Sequence, residues 1–147
     1  MRLINKHIYY AFRSLCYMAD NPKRIICITE LTKVLNMRRA FLRRIMTVLA
    51  KGKILKSLKG KGGGFVLNIN PSQIRVIDVI KVFKGKIDIM NCLFEKDVCP
   101  YPDSCVLMVK MKGVGISLYK ILEKTTIAIL LKSQKKRIRT KVGGNGN

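Results

Sequence analysis

The chain has a single histidine and only eight acidic residues, against thirty lysines and arginines. One imidazole and scattered carboxylates offer no general acid and base pair, and no nucleophile elbow occurs, so an enzyme is the weakest functional class. Long apolar runs are also missing. The stretch from Thr125 to Leu131 falls far short of the ~20 residues that a membrane-spanning helix needs. The opening ten residues have neither a long apolar segment nor a small-residue cleavage site, so no signal peptide is read there. The expectation is a cytoplasmic chain with no membrane partner. In a reducing compartment its five cysteines speak for metal binding or redox sensing over structural disulfides.

What is abundant is positive charge. A net charge of +22 predicts nucleic-acid binding that weakens steeply with salt. From Leu31 to Ile77 no Asp or Glu occurs at all, while Lys33, Arg38, Arg39, Arg43, Arg44, Lys51, Lys53, Lys56, Lys59, Lys61 and Arg75 do. A surface that serves only solubility mixes both signs. An unmixed one faces a polyanion.

The charge sits on a readable framework. Residues 28–35 predict a short helix, with Thr29 as its cap and Glu30 suiting the helix dipole. A break at Asn36-Met37 leads into a second helix starting at Arg38. Two strands follow, Ile54–Leu58 and Gly64–Asn68, joined by a loop holding Gly60, Gly62 and Gly63. Helix, turn, helix and hairpin is the order of a winged helix-turn-helix. In the second helix Phe41, Leu42, Ile45, Val48 and Leu49 make one apolar stripe, with Arg39, Arg43 and Thr47 opposite it. Such a helix suits a major groove, where arginine reaches guanine O6 and N7 as well as phosphates. Arg38, Arg39, Arg43, Arg44 and Thr47 are the candidate DNA contacts on it. Lys59, Lys61, Gly62 and Gly63 are those of the wing, whose glycines permit a tight hairpin close to a backbone. A phosphate-loop reading of the glycines is poor, because the loop lies between strands and lacks the closing Lys-Ser or Lys-Thr.

Elsewhere the pattern is helical. Residues 3–20 predict a first helix with Ile4, Ile8, Ala11, Leu15, Met18 and Ala19 inward, Cys16 beside them, and Asn21-Pro22 as its stop. Residues 24–29 read as a short strand on the wing sheet, with Cys27 in the core. Residues after Asn70-Pro71 read as another core helix ended by Gly85. From Ser104 a long helix is expected, with Met111, Val114, Leu118, Ile121 and Thr125 on a heptad-like seam suited to a two-fold dimer on a palindromic duplex. The fold class is thus mainly α with a small β-wing. The DNA-binding domain spans 1–84, a cysteine-bearing sensor loop 85–105, a dimerisation helix region 106–132, and a basic tail, expected disordered, 133–147.

The sensor loop carries Cys92, Cys99 and Cys105, together with half of the chain's acids, Asp88, Glu95, Asp97 and Asp103. Three thiolates within fourteen residues can close round one inorganic centre, with Pro100 and Pro102 turning the chain and Asp103 or Ser104 capping the helix after it. The spacing matches neither ferredoxin nor paired zinc patterns, so inert or disulfide-forming thiols stay open beside a metal centre.

The opening Met1–Asn5, the pair Tyr10-Ala11, the stretch Asn36–Leu67 and the three-cysteine loop with the helix behind it resemble the iron–sulfur-regulator family of bacterial winged-helix transcription factors, the IscR and NsrR type. The resemblance covers nearly all of residues 1–132. It implies a homodimer on promoter DNA and a 2Fe–2S or 4Fe–4S cluster on Cys92, Cys99 and Cys105, whose loss or modification changes DNA affinity. Two departures stand out. Met108 replaces the histidine of one branch, and Tyr9 replaces the acidic ligand that the other branch takes from the partner's first helix. His7, contributed by the partner subunit, is the candidate fourth ligand. Lys61 stands where the family often has proline. The competing readings are a cluster-free thiol or effector switch on the same DNA-binding unit, and a basic RNA-associated structural protein. The latter explains the charge but neither the split helix nor the cysteine loop.

Overall fold

The computed structural model describes residues 3–89 and 104–143, with side chains through Ile138. Six helices and one hairpin lie within them. Helix α1 (Lys6–Asp20) starts where Asn5 Oδ1 accepts the Ile8 amide at 3.0 Å, the bond an N-cap supplies to an otherwise unpaired donor. Its start is therefore later than expected, and Ile4 lies outside it, exposed. Helix α2 (Ile28–Leu35) is preceded by Cys27 as cap residue, without a side-chain cap bond. The expected cap, Thr29, is already inside the first turn.

Asn36 ends α2 in the left-handed conformation, φ 49° and ψ 51°, which asparagine tolerates better than most residues. The chain then turns straight into α3 (Arg39–Lys51). Leu42, Ile45, Met46 and Leu49 of α3 are fully buried, whereas Phe41 and Val48 are only partly so. Met46 lies outside the expected stripe. It extends the buried arc beside Ile45 and belongs to the main core that also holds Leu15, Leu31 and Ile26. Burying each such side chain contributes about 1.5–3 kcal/mol against the chain's lost entropy.

Strands β1 (Leu55–Leu58) and β2 (Gly64–Leu67) pair antiparallel, Leu55 opposite Leu67 and Leu58 opposite Gly64. The expected strand at residues 24–29 shrinks to one bridge. Ile26 and Phe65 exchange both amide bonds at 2.9 Å, with Ile26 buried beneath the wing. Cys27, expected in the core, is only half-buried. Helix α4 (Val76–Lys84) packs its buried face, Val76, Ile77, Val79 and Ile80, against α1 and α3, and Gly85 ends it at φ 73°.

The C-terminal part departs from the expected single helix and tail. Helix α5 (Val106–Lys124) stops at Thr125, and α6 (Ile127–Gly143) runs back along α1. A bridge between Arg75 and Thr126 fixes the break. Val76 N donates to Thr125 O at 2.8 Å and Ile127 N to Ile74 O at 2.9 Å. Ile127 is fully buried and Leu130 packs on the core, so residues 133–143, expected disordered, continue a helix already docked.

Candidate nucleic-acid interface and sensor segment

The buried arc of α3 leaves Arg39, Ala40, Arg43, Arg44 and Thr47 exposed, with Arg38 exposed at its cap. Arg39 has an intramolecular partner: its Nη1 donates to Thr29 Oγ1 at 2.9 Å, joining α3 to the first turn of α2. The sequence pattern gives Arg39 and Arg43 one role, but the geometry separates them. An open groove beside the turn is lined by Lys6, Asn36, Met37, Arg38, Phe41 and Arg44. Phe41 lines it, with the His7 ring centroid at 4.9 Å, Tyr10 edge-on at 5.7 Å and Lys6 Nζ 5.6 Å from the ring centroid. This aromatic contact seats the start of α1 against α3.

The wing tip, Lys59 to Gly62, is exposed. Gly60 and Gly62 hold φ at 96° and 77°, and Gly63 N closes the turn on Gly60 O at 3.0 Å. A Cβ on Gly63 would stand 2.3 Å from Leu58 O, so the glycine there is a matter of space. The two lysines alternate with glycines whose backbone carries nothing to hold a ligand away, and Lys56 is exposed on β1 behind them.

Of the three expected cluster ligands, Cys92 and Cys99 lie outside the described residues. Cys105 is half-buried and is itself the cap residue of α5, in place of Asp103 or Ser104. Among the described residues no three His, Cys, Asp or Glu side chains gather. Met108 is half-buried in the first turn of α5, and Tyr9 is exposed, its hydroxyl accepting from Arg13 at 3.1 Å. From Cys105, α5 leads to a set of contacts on α4 that sequence reasoning missed. Arg75 forks onto Asp78 at 2.6 and 3.0 Å and reaches Glu123 at 3.4 Å, and Lys81 donates to Tyr119 Oη at 3.0 Å. Arg75 and Asp78 are only three residues apart, but the contacts with Glu123 and Tyr119 span 48 and 38 residues and are invisible to local periodicity. Along α5 the apolar residues Val106, Val114 and Ile121 are 74%, 51% and 60% exposed. Met111 and Leu118 of the expected seam are half-buried.

Among the described residues Cys16 is the buried thiol, its pKa raised by desolvation and lowered less by Arg13. Among the described residues, no helix is long and apolar enough to cross a membrane.

Two helices joined by a left-handed turn, the second showing arginines to solvent and followed by a glycine-tipped hairpin, define a winged helix-turn-helix DNA-binding regulator. The comparisons with known proteins agree. The chain belongs to the Rrf2 family, described as iron-dependent transcriptional regulators, whose profile matches residues 4–133. It is 25% identical over 134 residues to the transcriptional regulator IscR of Sodalis glossinidius, covering 91% of this chain and 81% of that one. In structure it is similar to IscR of T. potens, with a TM-score of 0.71 and 21% identity over 91% of this chain and 89% of the other. It is also similar to CymR, the global cysteine regulator of B. subtilis, with a TM-score of 0.69 and 19% identity over 88% and 96% of the two chains.

Proposed function

We propose that this regulator is a homodimer that reads a palindromic promoter duplex with α3 and its wing, and senses redox, iron–sulfur or nitric-oxide status at an iron–sulfur cluster. Arg43, Arg44 and Thr47 face the bases, while Arg38, Arg39, Lys59 and Lys61 hold phosphates and Gly62 and Gly63 let the wing approach. The donor set fits the cofactor by type: Cys92, Cys99 and Cys105 offer the thiolates such clusters take, with His7 of the partner subunit as fourth ligand. The cluster supplies a centre that can be oxidised, nitrosylated or lost. This chain's residues translate its state.

The observation that carries this reading is the position of Cys105 at the head of α5, the helix that exposes the apolar Val106, Val114 and Ile121. A change at that thiol moves the start of α5, and α5 is held to α4 through Arg75, Glu123, Lys81 and Tyr119. Helix α4 in turn meets the end of α3 where Gly52 lies against Val82. Signal and duplex then bias one arrangement of two reading heads, and an effector must prefer one arrangement to shift anything. Anaerobic purification tests it. Stoichiometric iron and sulfide, lost in Cys92→Ala and Cys105→Ala, support the cluster; a colourless protein without either removes it.

The spacing of the three cysteines, which matches neither ferredoxin nor paired zinc patterns, supports a second reading, in which the same thiols act without a metal as a redox or effector switch. Mass spectrometry of the oxidised protein separates the two, by a reversible disulfide among Cys92, Cys99 and Cys105.

A further inference from the structure

Helix α6 does more than close the fold. Its first turn docks through Ile127 and Leu130, and from Lys132 onward every described residue of it is exposed. The chain has no acidic residue after Glu123, so this exposed helix carries one sign of charge. Lys135 forms an exposed ion pair with Asp20 on α1. Lys132 and Arg137 stand exposed on either side of Lys135.

Its place in the fold gives the charge a direction. One groove is lined by Arg13 of α1, Val34 and Leu35 of α2, and Lys135 and Ile138 of α6. The groove beside the recognition helix begins at the next two residues, Asn36 and Met37, and runs to Arg38 and Arg44. The basic part of α6 therefore borders the end of α2, the helix whose turn delivers α3. Residues 132–143 make about 18 Å of helix at ~1.5 Å per residue. Duplex DNA presents about one phosphate charge per 1.7 Å of its axis.

We propose that α6 is a second DNA-contacting element, a basic helix that lies against phosphates flanking the segment read by α3 and the wing. It rests on the DNA-binding reading above. A run of exposed cations bordering the end of α2, whose next residues line the groove beside α3, fits the partner already proposed, with no need for a separate one.

The test measures binding of the full-length protein to mixed-sequence duplexes of about one turn and about four turns of DNA, across a series of KCl concentrations. In K132Q/R137Q the slope of log K against log salt is expected to fall by about 0.9 for each phosphate no longer neutralised on the long duplex. On the short duplex, filled by α3 and the wing, it should not change. Charge-conserving K132R/R137K must keep the wild-type slope on both, and circular dichroism must show α6 intact. An unchanged slope on the long duplex would make α6 a solvated face and overturn the proposal. So would loss of binding to phosphatidylserine vesicles in K132Q/R137Q with long-duplex binding intact. If the wild type binds neither duplex, the DNA-binding reading itself falls, an outcome distinct from either.

Discussion

Arg39 donates to Thr29 across the helix-turn-helix at 2.9 Å, whereas Arg43, one turn further along α3, is exposed with nothing acidic on its own helix. The first arginine braces two helices; the second is available to a base. Thr29→Val removes the acceptor of an exposed hydrogen bond and should lower stability by up to about 1 kcal/mol. Arg43→Ala should leave the melting temperature in place and weaken operator binding by about 1–3 kcal/mol relative to scrambled duplex. Lys59→Ala should weaken all duplexes alike and reduce the salt slope by about 1. Equal discrimination by wild type and Arg43→Ala would remove the base-reading role.

The wing glycines are not interchangeable. At Gly60 a methyl group meets open space, and the cost is only that of a left-handed φ of 96°, about 1–2 kcal/mol. At Gly63 it meets the carbonyls of Leu58 and Gly60 at 2.3 and 2.9 Å, both backbone atoms of the hairpin itself. Overpacking against atoms that cannot retreat costs about 1–3 kcal/mol or more and re-aims Lys59 and Lys61. Gly63→Ala should therefore reduce duplex affinity across sequences more than Gly60→Ala does, in anisotropy titrations at fixed salt. The reverse order would mean that strain in φ, rather than space, decides the tip.

Gly52 tests the link from α4 to the recognition helix. A Cβ there would stand 2.6 and 2.7 Å from the two methyl carbons of Val82. Gly52→Ala should destabilise by about 1–3 kcal/mol, since the methyls can give way only in part. Val82→Ala opens the space, so the double variant should recover much of that loss, a coupling readable from urea unfolding in a double-mutant cycle. Strict additivity would show that the two elements adjust independently and would weaken the route from α5 to α3.

How far the residues announced this arrangement depends on the range of the forces involved. The split of α3 was legible because a 3.6-residue period needs only nearest-turn neighbours, and the wing because glycine and lysine alternate at a hairpin tip. Met46 escaped because it widens the stripe sideways, a width set by the partners α1 and α2 and not by the helix itself. The break at Thr125-Thr126 escaped for a stronger reason. It is made by bonds to Ile74 and Val76, far back in the chain, which no local pattern records. The basic segment after Leu131 reads as disordered from its own polarity, yet its helix is inherited from the docked turn before it. Of the sensor, only Cys105 and His7 fall within the described residues, and their roles rest on the proposal.

Tyr17 gives the fold a dependence on alkaline pH. Its hydroxyl donates to Glu30, whose carboxylate is also forked by Arg24 with both oxygens at 3.1 Å. The bond to Glu30 raises the Tyr17 pKa above the ordinary phenol value, with desolvation and the Glu30 charge adding and Arg24 opposing. Since the folded value lies above the unfolded one, the contribution is fully present below about pH 10, the unfolded value, and is lost as pH rises through the folded one. Tyr17→Phe should be less stable than wild type at neutral pH, and the two should converge as pH climbs past the phenol range. Absorbance at the phenolate band should show a late-titrating component in wild type that is missing from the variant. A stability gap that persisted above that range would place the Tyr17 contribution in packing and not in the bond to Glu30.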